Sequence, residues 1–177
     1  TYFFKDVSSY VIAESRSFVI IDEATGEEIL GTENVIANGA GGTTQGFEFI
    51  LQHDFGNGMG IATNYTYTDA ENDGERDLYN SGTGLVKGAS EHMLNLAGYY
   101  EKGDFGARVM YNYRSEWYDG INDFGAEQFT KDFGQWDASF SYSVTENLDL
   151  KFEAVNLTDE IIEKYHQVES RFSKSYK

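Results

Sequence analysis

Charged or amide side chains occupy four of the six even-numbered positions of segment 106–116, a spacing that places them on one face of an extended strand. They are Arg108, Asn112, Arg114 and Glu116, and Asp137 occupies an equivalent position in a later segment. Guanidinium groups beside amides and carboxylates could hold a carboxylate or several hydroxyl groups. The same side chains could instead bond to neighbouring strands or face water, and the sequence leaves both interpretations open.

A second set of oxygen donors lies in the acidic stretch that begins at Asp69. Asp69, Glu71 and Asp73 occupy alternate positions, and Gly74 follows at the sixth position, as at the start of a calcium-binding loop. The twelfth position is Asn80, where such a loop needs a bidentate Glu. We therefore expect a solvated loop that binds a divalent cation weakly if at all, and we expect no other metal or cofactor.

The sequence contains no set of residues suited to catalysis or to thiol chemistry. His53, His92 and His166 fall in different segments, without Ser-His-Asp or His-x-x-x-His spacing. The chain has no Cys, which excludes disulfides, a thiolate nucleophile and Cys-ligated metals. With 13 Lys and Arg against 30 Asp and Glu, the net charge of −17 excludes a nucleic-acid binder on bulk electrostatics. A binding or transport protein, not an enzyme, is expected.

Alternating apolar and polar residues predict that β-strands position these side chains. In segment 47–55 the odd positions are largely apolar and the even positions mostly polar. Short turns near Gly56, Gly103 and Glu146 join the alternating segments in pairs and predict three hairpins. The alternation recurs in segments 59–68, 92–101, 105–116, 136–144 and 148–154, and residues 2–12 are expected to add a seventh strand.

Short and long connections alternate between the predicted strands. Short turns at one end of the strands and long loops at the other are typical of an outer-membrane barrel. The predicted fold class is all-β, an antiparallel up-and-down transmembrane β-barrel segment with about seven to eight strands. A soluble β-sandwich would also alternate and is kept as an alternative. The segments expected to be long external loops are 13–44, 70–89, 119–132 and 158–170.

Aromatic residues near the strand ends are expected to form the two girdles at the membrane interfaces. No apolar run approaches the about 20 residues that a membrane-spanning helix needs. The expected girdle residues are Tyr65, Tyr67, Tyr100, Tyr111, Tyr113, Trp117, Tyr118 and Trp136.

An ordered series of short motifs runs through nearly the whole chain. In this order the motifs resemble the C-terminal part of the barrel of a TonB-dependent outer-membrane transporter, and the series is far more specific than any single motif. The resemblance implies a barrel of about 22 strands whose lumen holds an N-terminal plug. It implies further that the plug and the last strand lie outside residues 1–177. The motifs are Tyr2-Phe3-Phe4-Lys5-Asp6-Val7, Gly46-Phe47-Glu48, Asn64-Tyr65-Thr66-Tyr67-Thr68-Asp69, Gly88-Ala89-Ser90-Glu91-His92, Tyr111-Asn112-Tyr113-Arg114 and Asn156-Leu157-Thr158-Asp159-Glu160.

The resemblance also implies a function and partners. It implies a receptor in the outer membrane of a Gram-negative bacterium that imports a scarce nutrient, with energy that the TonB complex delivers through the plug. An oligosaccharide is slightly favoured over a ferric siderophore. Outer-membrane lipid, lipopolysaccharide and a surface lipoprotein are further expected partners. A passive porin or a surface-binding barrel without a plug is the alternative transport hypothesis.

In such a receptor the external loops would carry part of the binding site. Tyr79 and Phe124, together with Phe129 and Phe133, could stack on a sugar ring or a siderophore, or could pack the loops against one another. The predicted ligand-binding residues are therefore Arg108, Asn112, Arg114, Glu116, Asp137, Tyr79 and Phe124.

Overall fold

The computed structural model describes residues 1–73, 84–121 and 126–167, and its regular structure there is entirely β. No helix in these ranges is long and apolar enough to cross a bilayer. The strands are β1 (Tyr2–Val7), β2 (Val11–Ile21), β3 (Glu28–Asn38), β4 (Gly42–Asp54), β5 (Met59–Asn72), β6 (His92–Lys102), β7 (Phe105–Arg114), β8 (Trp117–Ile121), β9 (Glu127–Thr130), β10 (Phe133–Thr145), β11 (Leu148–Ala154) and β12 (Lys164–Gln167).

Seven of these strands form one antiparallel sheet in the order β1-β4-β5-β6-β7-β10-β11. Strands adjacent in the sheet follow one another along the chain, apart from the excursions that carry β2–β3 and β8–β9. This confirms the predicted up-and-down fold, including the hairpins β4–β5, β6–β7 and β10–β11. The sheet does not close on itself, so β1 and β11 are its two edges. The first strand ends at Val7, earlier than expected.

The register places apolar and polar side chains on opposite faces of the sheet. On the apolar face Phe47 lies opposite Tyr67, and Phe140 lies opposite Phe152. Phe152 is 62% exposed, and no strand of another sheet packs against this face among the described residues. That is not a β-sandwich, in which two sheets bury their apolar faces together. An uncovered face of this size suits contact with lipid.

Aromatic rings gather near both ends of the apolar face. Towards the long connections, Phe47 packs with Tyr67, and Tyr111 packs with Trp136 at a centroid distance of 4.7 Å. Towards the short turns, Phe105 contacts Tyr100 and Phe140. These two bands have the arrangement expected of interfacial girdles.

Two of the expected girdle residues lie elsewhere. Trp117 and Tyr118 belong to β8, and Tyr118 is buried against Phe129. The prediction was wrong for these two residues because the alternation of β7 ends at Arg114, after which the chain leaves the main sheet and pairs with β9.

The long connections contain more strand structure than the sequence analysis predicted. Segment 13–44 is largely a hairpin, in which β2 pairs with β3 from Val11 opposite Asn38 to Ile21 opposite Glu28. Its apolar residues 18–21 include three β-branched side chains, which favour an extended backbone. In the turn, Asp22 accepts a hydrogen bond from the Ala24 amide at 2.8 Å, which lowers the pKa of the Asp22 carboxyl.

The segments expected as loops 119–132 and 158–170 contribute to a second, three-stranded sheet in the order β12-β9-β8. In segment 70–89, β5 continues to Asn72, and Glu71 forms a β-bridge with Leu85. This small sheet and residues 84–91 lie at the end of the main sheet where the long connections are, and together they form the rim.

Candidate functional site

A cleft of about 260 Å³ opens where the main sheet meets the rim. It exists because β5 continues past Tyr67, the last residue that it pairs with β6. Residues 85–91 and β8 occupy the space beside this extension. The cleft is lined by Tyr67, Thr68, Asp69, Ala70, Leu85, Val86, Ala89, Ser90, Glu91, Glu116, Trp117, Tyr118 and Phe129.

The lining of the cleft combines aromatic rings with hydrogen-bond acceptors. Among the described residues that line it, Asp69, Glu91 and Glu116 carry carboxylates, and none is basic. Carboxylates accept hydrogen bonds from hydroxyl or ammonium groups and repel anions. The cleft is therefore suited to a ligand that donates hydrogen bonds and carries no negative charge.

Arg114 fixes one wall of the cleft from behind. Its Nε donates to Ser90 Oγ at 2.6 Å, and its Nη2 donates to the Gly88 carbonyl. The guanidinium also lies 3.9 Å from the ring centroid of Trp117, which is a cation–π contact. Through these contacts the arginine links residues 88–90 to β7 and β8, and the Ser90 that it binds is only 4% exposed.

Asp119 holds the edge of the Trp117 ring. It accepts hydrogen bonds from Trp117 Nε1 at 2.9 Å and from Thr130 Oγ1, and Lys164 Nζ lies 3.0 Å from its carboxylate. Burial alone would raise the pKa of Asp119, but the three donors outweigh burial and lower the pKa below its usual value. The carboxylate thus fixes the indole and joins β8, β9 and β12.

Aromatic packing completes the rim. Phe129 lies between Tyr118, at 5.5 Å, and Tyr165, at 5.4 Å between ring centroids. Tyr165 also donates a hydrogen bond to Glu116 Oε1 at 2.9 Å. Burial raises the pKa of the Tyr165 phenol, and the Glu116 carboxylate raises it further. Of the two roles considered for Phe129, the structure shows packing of the connections against one another.

The remaining predicted residues lie on the polar face of the main sheet. Arg108 lies 5.8 Å from the ring centroid of Tyr99 and 4.0 Å from Glu101, beside a groove of about 430 Å³. Asp137 accepts hydrogen bonds from Gln135 Nε2 at 2.7 Å, from Asn112 Nδ2 at 3.4 Å and from the Asn156 amide at 2.8 Å. Its contacts therefore hold the end of β11 in place.

The structure thus divides the predicted ligand-binding residues between two places. Glu116 lines the cleft and Arg114 supports it, whereas Arg108, Asn112 and Asp137 lie along the polar face. Tyr79 and Phe124 lie outside the described residues.

The acidic stretch near Asp69 is only partly described. Asp69 and Glu71 belong to β5, and Asp69 accepts a hydrogen bond from Gln45 Nε2 at 3.1 Å. Among residues 1–73, 84–121 and 126–167, no three His, Asp or Glu side chains are placed to hold a metal ion. Weak binding of a divalent cation by the acidic loops remains a prediction.

Sequence reasoning missed four residues that shape the cleft: Ser90, Asp119, Thr130 and Lys164. Their one visible signal was the polar side chain of Ser90 within a motif that carried the family resemblance. The other three come together only through the pairing of β8, β9 and β12, which has no alternating pattern of its own.

Comparison with known proteins gives one match. The family model described as "TonB dependent receptor-like, beta-barrel" matches residues 1–157. Neither the curated proteins nor the solved structures compared with the chain gave a match.

Proposed function

The chain belongs to the TonB-dependent receptor family, and from this membership we propose that it forms part of the wall and the external rim of a nutrient receptor in a Gram-negative outer membrane. The family consists of outer-membrane transport receptors and not of enzymes. The chemistry proposed for this chain is accordingly binding and passage of a small molecule.

The cleft at the rim is the observation that carries the ligand proposal. Trp117 offers aromatic surface, and Glu91 and Glu116 offer acceptors. A sugar presents apolar C–H surface to aromatic rings and hydroxyl donors to carboxylates. We infer that an oligosaccharide fits this lining better than an anionic ferric siderophore does, because its described part contains carboxylates and no basic residue.

Energisation by the TonB complex, acting through a plug, is the proposed driving mechanism. The family membership supports it, and the polar face of the sheet offers hydrogen-bonding side chains for a segment that fills the lumen. Outer-membrane lipid and lipopolysaccharide are the proposed surroundings of the apolar face. A surface lipoprotein is a proposed partner of the β2–β3 hairpin, whose exposed apolar residues include Val19, Ile20 and Leu30.

An uptake assay tests this function. Cells that produce the receptor would be compared with a strain lacking it and with a strain lacking TonB, using a radiolabelled panel of neutral oligosaccharides and ferric hydroxamates. We expect uptake of a neutral oligosaccharide that is lost in both mutant strains. Uptake that persists without TonB would favour the passive porin, and selective uptake of the ferric complexes would overturn the sugar proposal.

A further inference from the structure

Four side-chain amides stand beside one another across the polar face of the main sheet. Asn64 of β5 pairs with Asn95 of β6, Asn95 pairs with Asn112 of β7, and Asn112 pairs with Gln135 of β10. Side chains opposite one another on antiparallel strands have Cβ atoms about 5 Å apart. The four amides therefore form a continuous row perpendicular to the strands, called here the amide row.

The two ends of the amide row are engaged differently. Gln135 and Asn112 both donate to Asp137, at 2.7 and 3.4 Å. Asn64 and Asn95 are exposed, and neither side chain makes a hydrogen bond with any other described residue. Two carboxamides, each with donors and an acceptor, are thus available to another molecule.

A hollow of about 240 Å³ lies against the free end of the row. Ile50, Ala62, Ala97 and Met110 contribute apolar atoms to it, and Asn64, Asn95, Asn112 and Gln52 contribute amides. None of the described residues that line the hollow is charged, although 24% of the chain is charged. The neighbouring groove on the same face, by contrast, carries Glu101, Arg108, Lys151 and Glu153.

We propose that the amide row and its hollow are a contact site for one uncharged sugar unit of the transported nutrient, an inference that rests on the proposed function. A hydroxyl group donates and accepts hydrogen bonds, as a carboxamide does, so one amide can serve a hydroxyl in either orientation. The apolar hollow receives the C–H surface of the ring. Sites for drug-sized molecules have volumes of about 300–1,000 Å³. The hollow is slightly smaller than that, as suits a single sugar ring.

The absence of charge in the lining determines the ligand class. An anionic group that entered the hollow would lose water without gaining an opposite charge, and the Asp137 carboxylate, bonded to Asn112, would repel it. Acidic sugars and anionic metal complexes are therefore disfavoured at this site, whereas neutral sugars are accepted.

The decisive variant is Asn64→Leu/Asn95→Leu, which keeps side-chain size and removes the free amides. Binding to receptor purified from outer membranes would be measured by calorimetry with neutral glucose, mannose and N-acetylglucosamine oligomers and with acidic galacturonate oligomers. For the neutral oligomer that binds, we expect Kd to rise about tenfold or more, since two hydrogen bonds are lost. The variant Asn64→Gln/Asn95→Gln keeps an amide at both positions and is expected to retain most of the wild-type affinity.

The matched control is Ser139→Ala/Ser141→Ala, which removes two polar groups from the neighbouring groove and should leave Kd unchanged. Equal amounts of each variant in the outer membrane would establish that all of them assemble. An unchanged Kd in the leucine variant, while wild-type cells import the neutral oligomer in a TonB-dependent manner, overturns the amide-row site alone. Failure of the wild-type receptor to bind or import any neutral oligomer overturns both this site and the proposed sugar transport.

Discussion

Arg114 stacks on Trp117, with its guanidinium carbon 3.9 Å from the centroid of the ring. The same arginine hydrogen-bonds to Ser90 and Gly88, so one side chain joins β7, β8 and the segment before β6. A second constraint on Trp117 comes from Asp119, which accepts a hydrogen bond from the indole N–H at the edge of the ring. The ring that borders the cleft is therefore held from two sides, and the cleft is organised before any ligand arrives.

Replacement of Arg114 by Met should loosen the rim without disturbing the main sheet. The change removes a cation–π contact and two hydrogen bonds, which together should cost about 1–3 kcal/mol locally. Hydrogen exchange would show faster exchange of amides in residues 88–90 and unchanged exchange in β4 and in the part of β5 that pairs with β6, up to Tyr67. Arg114→Lys should restore little, because an ammonium group cannot reproduce the planar fork of donors.

The rim should lose stability in acid because of Asp119. Hydrogen bonds lower the pKa of this carboxyl in the folded protein below its usual value of 3.8, so ionisation favours the folded rim. Its contribution is complete above the usual value and disappears as the pH falls through the lower folded value.

The fluorescence change with pH that depends on Trp117 would monitor this transition, measured as the difference between the receptor and its Trp117→Phe variant. The variant Asp119→Asn should have a weaker rim at neutral pH and a much smaller acid transition. An identical acid transition in this variant would assign it to another group.

Tyr165→Phe should isolate the bond that connects β12 to the cleft. The variant keeps the stacking on Phe129 and loses the hydrogen bond to Glu116. The free energy of unfolding of the rim should therefore fall by about 1 kcal/mol. A double-mutant cycle with Glu116→Gln measures the coupling between the two side chains. Strictly additive losses would mean that the two groups are not coupled in solution.

The main sheet was predictable from the sequence because it has one largely apolar face and one largely polar face. Segments 59–68 and 105–116 alternate with little interruption and correspond to β5 and β7. In such strands a slip of one residue would turn every apolar side chain inward, so the pattern itself defines the faces.

The rim could not be predicted in the same way. Tyr165 and Glu116 are 49 residues apart, and the short strands β8, β9 and β12 are too brief for a periodic signal. Trp117 and Tyr118 consequently resembled girdle residues. The amide row could not be predicted either. The neighbours of Asn95 depend on the register of the β6–β7 hairpin and on that of β6 against β5, and alternation fixes neither register to better than two residues.

Asn156 should be unusually sensitive to substitution. It has a positive φ of 55°, its side chain accepts from the Glu160 amide and donates to the Glu160 carbonyl, both within 2.9 Å, and its own amide is held by Asp137. Asn156→Ala should destabilise the end of β11 by about 2–3 kcal/mol, because Ala disfavours this backbone region and forms neither bond.

Asn156→Gly is the informative partner of that variant. Glycine adopts a positive φ freely, so it should recover the backbone part of the loss and none of the hydrogen-bond part. Denaturant unfolding of the receptor in detergent would rank the three proteins, with the glycine variant in the middle. Equal stability of the alanine variant and the wild type would show that this turn contributes nothing to the fold.

A single arginine can distinguish the lipid face from the inner wall. Val109 lies near the middle of β7 on the apolar face, between the aromatic bands, and is 46% exposed. Val109→Arg should cost about 2–4 kcal/mol if this position is at the bilayer midplane. Thr66→Arg, on the polar face opposite Glu48, should be tolerated because the new charge meets a carboxylate. Unfolding of both variants in lipid vesicles provides the comparison, and equal losses would contradict the assignment of the two faces.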